Sequence, residues 1–300
     1  MGFGTPITLW GPLRAPAQML AGQEYGGHAS VHDDAEAAKL GLSGAPIEGP
    51  THFSQIDPLA VEVHGEEWFE RGCVSVHFLN MVVEGEEVRA SLTRTAPDAA
   101  DVTVEKADGT PVLAGTATLG SDASTALSDR LERAQGDPGE LFIVDQLAMG
   151  MKAPGATVTM RLDEHNGSLY PFTLAQKLER ITEPSPWYSD GESSPWGEPI
   201  VPTEMISVLA HKRGGDLPTR GPAVGLFIDL EVRYVGGPVF VGRPYRVDHT
   251  VVGLGQSRRV ESYWTESTIT DDSEGRHVAT VLLHQGLFKA SYADYPADRL

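Results

Sequence analysis

Between Glu24 and His52 the chain gathers side chains that can carry protons: Glu24, Tyr25, His28, His32, Asp33, Asp34, Glu48 and His52. Histidine titrates near neutral pH and carboxyls can be tuned toward it, so the set suits general acid–base chemistry. His28 and His32 lie four apart with Asp33 adjacent, a spacing that also suits a metal, but no third ligand is indicated. Glu48 sits between Ile47 and Gly49, directly before Pro50-Thr51, and His52 falls in the first turn of the apolar helical run that follows. Backbone amides around Gly49 to Thr51 would lie at the positive end of that helix, where a developing oxyanion is stabilised. Each residue also has a structural reading. Asp33 or Asp34 suits the N-cap of a short helix over 34–40, His52 suits the edge of a core, and Cys73 suits a buried thiol.

The elements that position these residues are written twice. Pro50-Thr51 ahead of an apolar helix recurs as Pro202-Thr203; Val83 to Arg89 is echoed by Val241 to Val247, and Asp108 to Ala114 by Glu274 to Thr280. The echoes keep their order, which predicts a duplication. Residues 34–42 read as a short helix stopped at Gly41, and Pro50 to about His64 as the longest helix of the first half, kinked or shortened by Pro58. From Cys73 the texture turns to alternation through Leu79, Val88 to Leu92, Val102 to Val104 and Val112 to Leu119, which predicts successive antiparallel strands. The second half repeats the plan, with a helix from Pro202 to about Lys212 and strands over 226–235, 245–252, 259–270 and 277–292. The implied fold class is α+β, with two sheets that each wrap a helix and join through their edge strands. The boundaries fall at 1–120 for the first unit, 121–139 for a Ser-, Asp- and Gly-rich linker with a helical patch near Leu127–Leu131, and 140–300 for the second.

The 300 residues carry a net charge of −19, unevenly spread: 8 Lys+Arg against 23 Asp+Glu in residues 1–150, and 15 against 19 in 151–300. Such acidity argues against nucleic acid as a partner, and no apolar run is long enough to span a bilayer. Cations for a polyanionic ligand would come mainly from the second half, around His211-Lys212-Arg213, Arg220, Arg243, Arg246 and Arg258-Arg259. Met1 to Pro6 lacks the pattern of a secretory signal, and one cysteine cannot form an internal disulfide, so the expected location is cytoplasmic. No nicotinamide, flavin or nucleotide motif is present, and no cofactor is expected.

The run His28-Ala29-Ser30-Val31-His32-Asp33-Asp34-Ala35 through Gly41-Leu42, followed by Ala45-Pro46-Ile47-Glu48-Gly49, resembles the signature of MaoC-like hydratases and dehydratases. That signature has the form Asp-x-Asn-Pro-x-His, then a short helix, Gly-Phe, an Ile-Ala-His-Gly turn and a central helix. The resemblance implies a double hotdog fold and a cofactor-independent hydro-lyase acting on an enoyl thioester of coenzyme A or acyl carrier protein, or on a free enone. It makes His32 the principal proton carrier. The position of the family's aspartate is Gly27, so Glu48, Asp33 and His28 are the candidates to complete the catalytic set. Tyr25, Gly49, Thr51, His52 and, from the second half, Asp190 are candidates to bind substrate. Trp187 and Trp196 would wall an apolar tunnel or support the core. Hotdog proteins also hydrolyse thioesters or serve as acyl-binding partner subunits, and both remain alternatives. A homodimer is compatible with this reading.

Overall fold

The computed structural model describes residues 6–24, 27–120, 124–213 and 217–300. In chain order the strands are β1 (Ile7–Trp10), β2 (Gly72–Phe78), β3 (Val88–Ala96), β4 (Ala99–Lys106), β5 (Pro111–Leu119), β6 (Lys152–Thr159), β7 (Gly225–Tyr234), β8 (Pro244–Gln256), β9 (Val260–Asp271) and β10 (His277–Phe288). The helices are α1 (Asp34–Lys39), α2 (Phe53–His64), α3 (Glu67–Arg71), α4 (Ser128–Arg133), α5 (Leu174–Leu178) and α6 (Thr203–His211). Among the described residues no helix is long and apolar enough to cross a membrane.

All ten strands form one antiparallel sheet in the order β1-β3-β4-β5-β2-β7-β10-β9-β8-β6. The order is mirrored about the β2–β7 pair, so β2 answers to β7, β5 to β10, β4 to β9, β3 to β8 and β1 to β6. The sequence echoes fall at matching places, before β3 and β8 and in the turns β4–β5 and β9–β10. The edge strands β1 and β6 were not anticipated. β6 carries Pro154 and Gly155, which mask an alternating pattern and are tolerated because its far side has no partner strand.

The sheet wraps α2 and α6, which pack against each other. Phe53, Ile56 and Ala60 of α2 and Met205, Ile206, Val208 and Leu209 of α6 are fully buried in one core cluster with Val74, Val76, Leu230 and Val232 of the central strands. Burying each large side chain of this set is worth about 1.5–3 kcal/mol. Pro58 lies inside α2 without ending it. Its missing N–H leaves the Ser54 carbonyl without its usual helical donor. Cys73 is fully buried, and burial pushes its thiol up. Trp187 and Trp196 pack edge-on to Phe69 and to each other, so they support the core.

Candidate active site

A cavity of about 250 Å³ lies where the two halves meet, with Gln23, Ser30, His32, Glu48, Gly49, His52, Phe78 and Asn80 on one side and Tyr170, His211, Phe227, Leu283 and Gln285 on the other. His32 follows a turn whose Ser30 hydroxyl accepts from the His32 amide at 3.1 Å and donates to the Gln23 side chain at 2.7 Å. The His32 Nδ1 lies 2.7 Å from the Pro46 carbonyl. A carbonyl only accepts, so Nδ1 carries the proton and the neutral ring keeps the Nε2 lone pair, the form a general base requires. Burial lowers its pKa, partly offset by the Pro46 contact, which favours that neutral form.

Glu48 is only 6% exposed and its Oε1 has no hydrogen-bond partner. Burial raises its pKa to about 7; Lys177 opposes the rise and Glu204 adds to it. Behind it lies a buried ion pair, Lys177 Nζ to Glu204 Oε1 at 3.2 Å, with the ammonium also donating to Thr51 Oγ1 at 3.0 Å. His52 is 2% exposed with an unpartnered Nδ1, and burial followed by repulsion from Lys177 lowers it to about 4. It is therefore neutral across the physiological range. Gly49 lies close under the Phe78 ring: a Cβ there would sit 2.8 Å from it, so the ring would have to shift.

Backbone bonds explain how Glu48 reaches the cavity. Ile47 N donates to Val82 O at 2.8 Å in the first half, and Val201 N donates to Val239 O at 2.7 Å in the second. Ile47 thus answers to Val201, yet Pro50 answers to Pro202. The first copy has two extra residues before its helix, Glu48 and Gly49, and the extra turn carries the carboxyl and the close approach to Phe78.

The other expected residues are placed elsewhere. Asp33 caps α1, accepting from the amides of Ala35 at 2.9 Å and Glu36 at 3.0 Å, and is exposed. His28 is off the cavity wall, with Nδ1 3.1 Å from the Ala223 backbone and its ring against Gly221. Thr51 faces Lys177 rather than the cavity. Asp190 is exposed in a turn, bonded to Ser193 Oγ at 2.5 Å and the Glu192 amide at 3.0 Å. Tyr25 lies outside the described residues.

One imidazole was missed. His211 ends α6 and lines the cavity, with Nδ1 2.8 Å from the Ser207 carbonyl and its pKa lowered chiefly by burial. The sequence reading grouped it with Lys212 and Arg213 as a surface cation; its place at the end of the repeated helix was the available signal. Gln23, Asn80 and Gln285 also reach the wall and are isolated in sequence. Among the described residues no group of three or more His, Cys, Asp or Glu could hold a metal.

No protein-family model matches the chain, and no curated protein is similar to it in sequence. Solved structures are similar in fold. A protein from Chloroflexus aurantiacus described as a MaoC-domain dehydratase is 14% identical with a TM-score of 0.59, covering 95% of each chain. A protein from Mycobacterium tuberculosis described as having a double hotdog fold is 13% identical with a TM-score of 0.57, covering 96% of this chain and 97% of the other. The chain is a double hotdog. At these identities the likeness concerns the fold, and the chemistry must be argued from the cavity. In this double hotdog the polar wall draws on both units, since the first supplies His32, Glu48 and His52 and the second supplies Tyr170, His211 and Gln285.

Proposed function

We propose that the protein is a hydro-lyase that adds water to, or removes it from, a carbonyl-activated alkene, with an enoyl thioester as the favoured substrate class. The observation that carries this reading is that His32 and Glu48 line one cavity in opposite protonation states: an imidazole kept neutral with Nε2 unprotonated, and a carboxyl raised to about 7. Environments that push two titratable groups apart in this way assign a base and an acid. In the hydration direction His32 Nε2 takes a proton from water as the oxygen bonds to the β carbon. The alkene electrons move to the carbonyl as an enolate, and Glu48 gives its proton to the α carbon. Dehydration is the reverse. Glu48 takes the part of the family's aspartate, whose position is Gly27. The largely apolar remainder of the wall, with Phe78, Phe227 and Leu283, suits an acyl chain.

The test is turnover of crotonyl and longer enoyl thioesters by purified protein and by His32→Ala and Glu48→Gln. Loss of hydration in both variants supports the reading. Release of free thiol, lost in Glu48→Gln and kept in His32→Ala, would favour thioester hydrolysis, and no turnover of thioesters or free enones would favour an acyl-binding subunit.

A further inference from the structure

The face of the sheet turned away from α2 and α6 carries a second polar constellation. Strand register aligns His77 with Asp229, Asp229 with His284, and His284 with Trp264 across β2, β7, β10 and β9. Asp229 is completely buried; it accepts from His77 Nδ1 at 2.7 Å and His284 Nδ1 at 2.6 Å and lies 3.0 Å from Arg130 Nε. His284 stacks on Trp264 with centroids 4.3 Å apart. The segment around α4 covers this row through Leu127, Leu131 and Ala134.

Beside α4 opens a cavity of about 480 Å³ whose wall includes Arg130, Arg133, Ser257, Ser262, Trp264 and His284. Arg130 and Arg133, three apart on one helix, lie on a common face. The turn that brings Ser257 and Val260 to the wall also carries Arg258 and Arg259, both exposed. Among the described residues neither Arg133 nor Arg258 has an ion-pair partner. The wall's one carboxylate among the described residues, Asp137, accepts from the Gly139 amide at 2.8 Å. Two guanidinium groups, Arg130 and Arg133, thus line this cavity, and Arg258 and Arg259 stand on the neighbouring turn.

The geometry points to an anion site in this outer cavity that takes a phosphate-bearing ligand. Guanidinium forks bind phosphate oxygens in pairs, and the wall sets two of them against the single carboxylate of Asp137. Arg130 is held beside Asp229 as an ion pair, with Nε 3.0 Å from Oδ1. His284, whose Nδ1 is committed to Asp229, also lines the cavity. Ile228 lines both this cavity and the candidate active site, at a bulge where register shifts between His284 and Gln285. The anion is therefore either the phosphate arm of a substrate whose acyl end enters the inner cavity, or a separate phosphorylated effector.

The test is calorimetric titration of the full chain at low salt with inorganic pyrophosphate and with adenosine 3′,5′-bisphosphate. Saturable binding is expected, weakened about tenfold or more in Arg133→Gln and unchanged in Arg220→Gln, which removes a guanidinium paired with Asp145 and absent from both cavities. Arg133 is exposed, so its replacement leaves the buried Asp229 cluster intact. Absence of saturable binding, unchanged binding in Arg133→Gln, or equal weakening in Arg220→Gln would overturn the site. This measurement does not depend on the hydro-lyase reading. Where enoyl thioesters are turned over, a bisphosphate that raises KM identifies the substrate's own arm, and one that leaves KM unchanged identifies an effector; both retain the site.

Discussion

Replacing Glu48 by glutamine removes a buried acid without changing the size of the side chain, and its consequence for stability has a definite sign. A carboxyl raised from 4.5 to about 7 on folding holds its proton more tightly in the folded state than in the unfolded one. Its contribution is fully present below pH 4.5 and is lost as pH rises toward 7. The rise corresponds to about 3 kcal/mol. Urea unfolding of the wild type should therefore show a decline of that order between pH 4.5 and 7.5 that Glu48→Gln lacks, after subtracting the changes both proteins share. Those shared changes include Asp57, raised to about 6 by burial, which declines in the same direction, and His52, lowered to about 4, which adds stability as pH rises from 4 to 6.5. In activity, the wild type should lose hydration rate as pH passes 7 and the acid deprotonates, a limb the variant cannot show. Equal pH dependence of unfolding in the two proteins would refute the assignment of the raised carboxyl to Glu48.

His32→Ala should lower kcat/KM for hydration by roughly 10²–10⁴ while leaving the far-ultraviolet dichroism spectrum unchanged. Gly49→Ala forces a Cβ against the Phe78 ring and should destabilise the fold by about 1–3 kcal/mol; Phe78→Leu in the same chain should recover part of that loss, read as the urea midpoint. Asp57→Ala strips the acceptor from Trp68 Nε1 at 2.8 Å and Thr203 Oγ1 at 2.7 Å, and should cost about 1–3 kcal/mol for each buried donor left unpaired, measured by thermal unfolding.

The α+β plan was legible because its signals are local and repeated. Alternation marked eight of the strands, Pro50 and Pro202 marked both central helices, and the ordered echoes marked the pairing of halves. The short edge strands β1 and β6 were not legible, since four residues of alternation or an intervening Pro-Gly carry too little pattern. For the site, sequence proximity misled in one respect. Asp33 lies beside His32 in the chain, but the N-terminus of α1 claims its carboxylate, while Glu48 reaches the same cavity as His32 from a separate turn. His211 and Gln285 come to the wall only through the docking of the second unit, a long-range event that no local pattern encodes.

Duplication explains how one cavity holds groups of such different character. In the second copy Val201 runs directly into Pro202, and the position matching His52 is Glu204. Glu204 pairs with Lys177 in the interior. That pair adjusts Glu48 from outside the cavity, because the ammonium pulls its pKa down and the second carboxylate pushes it up, so burial is left as the dominant cause. Without Lys177 the carboxyl would remain protonated further above neutrality, and in the proposed hydration it would be a weaker donor. Without burial it would be ionised and have no proton to give. The extra Glu48-Gly49 turn of one copy and the ion pair of the other are therefore complementary, and a single hotdog unit carrying either alone would lack an acid poised near pH 7.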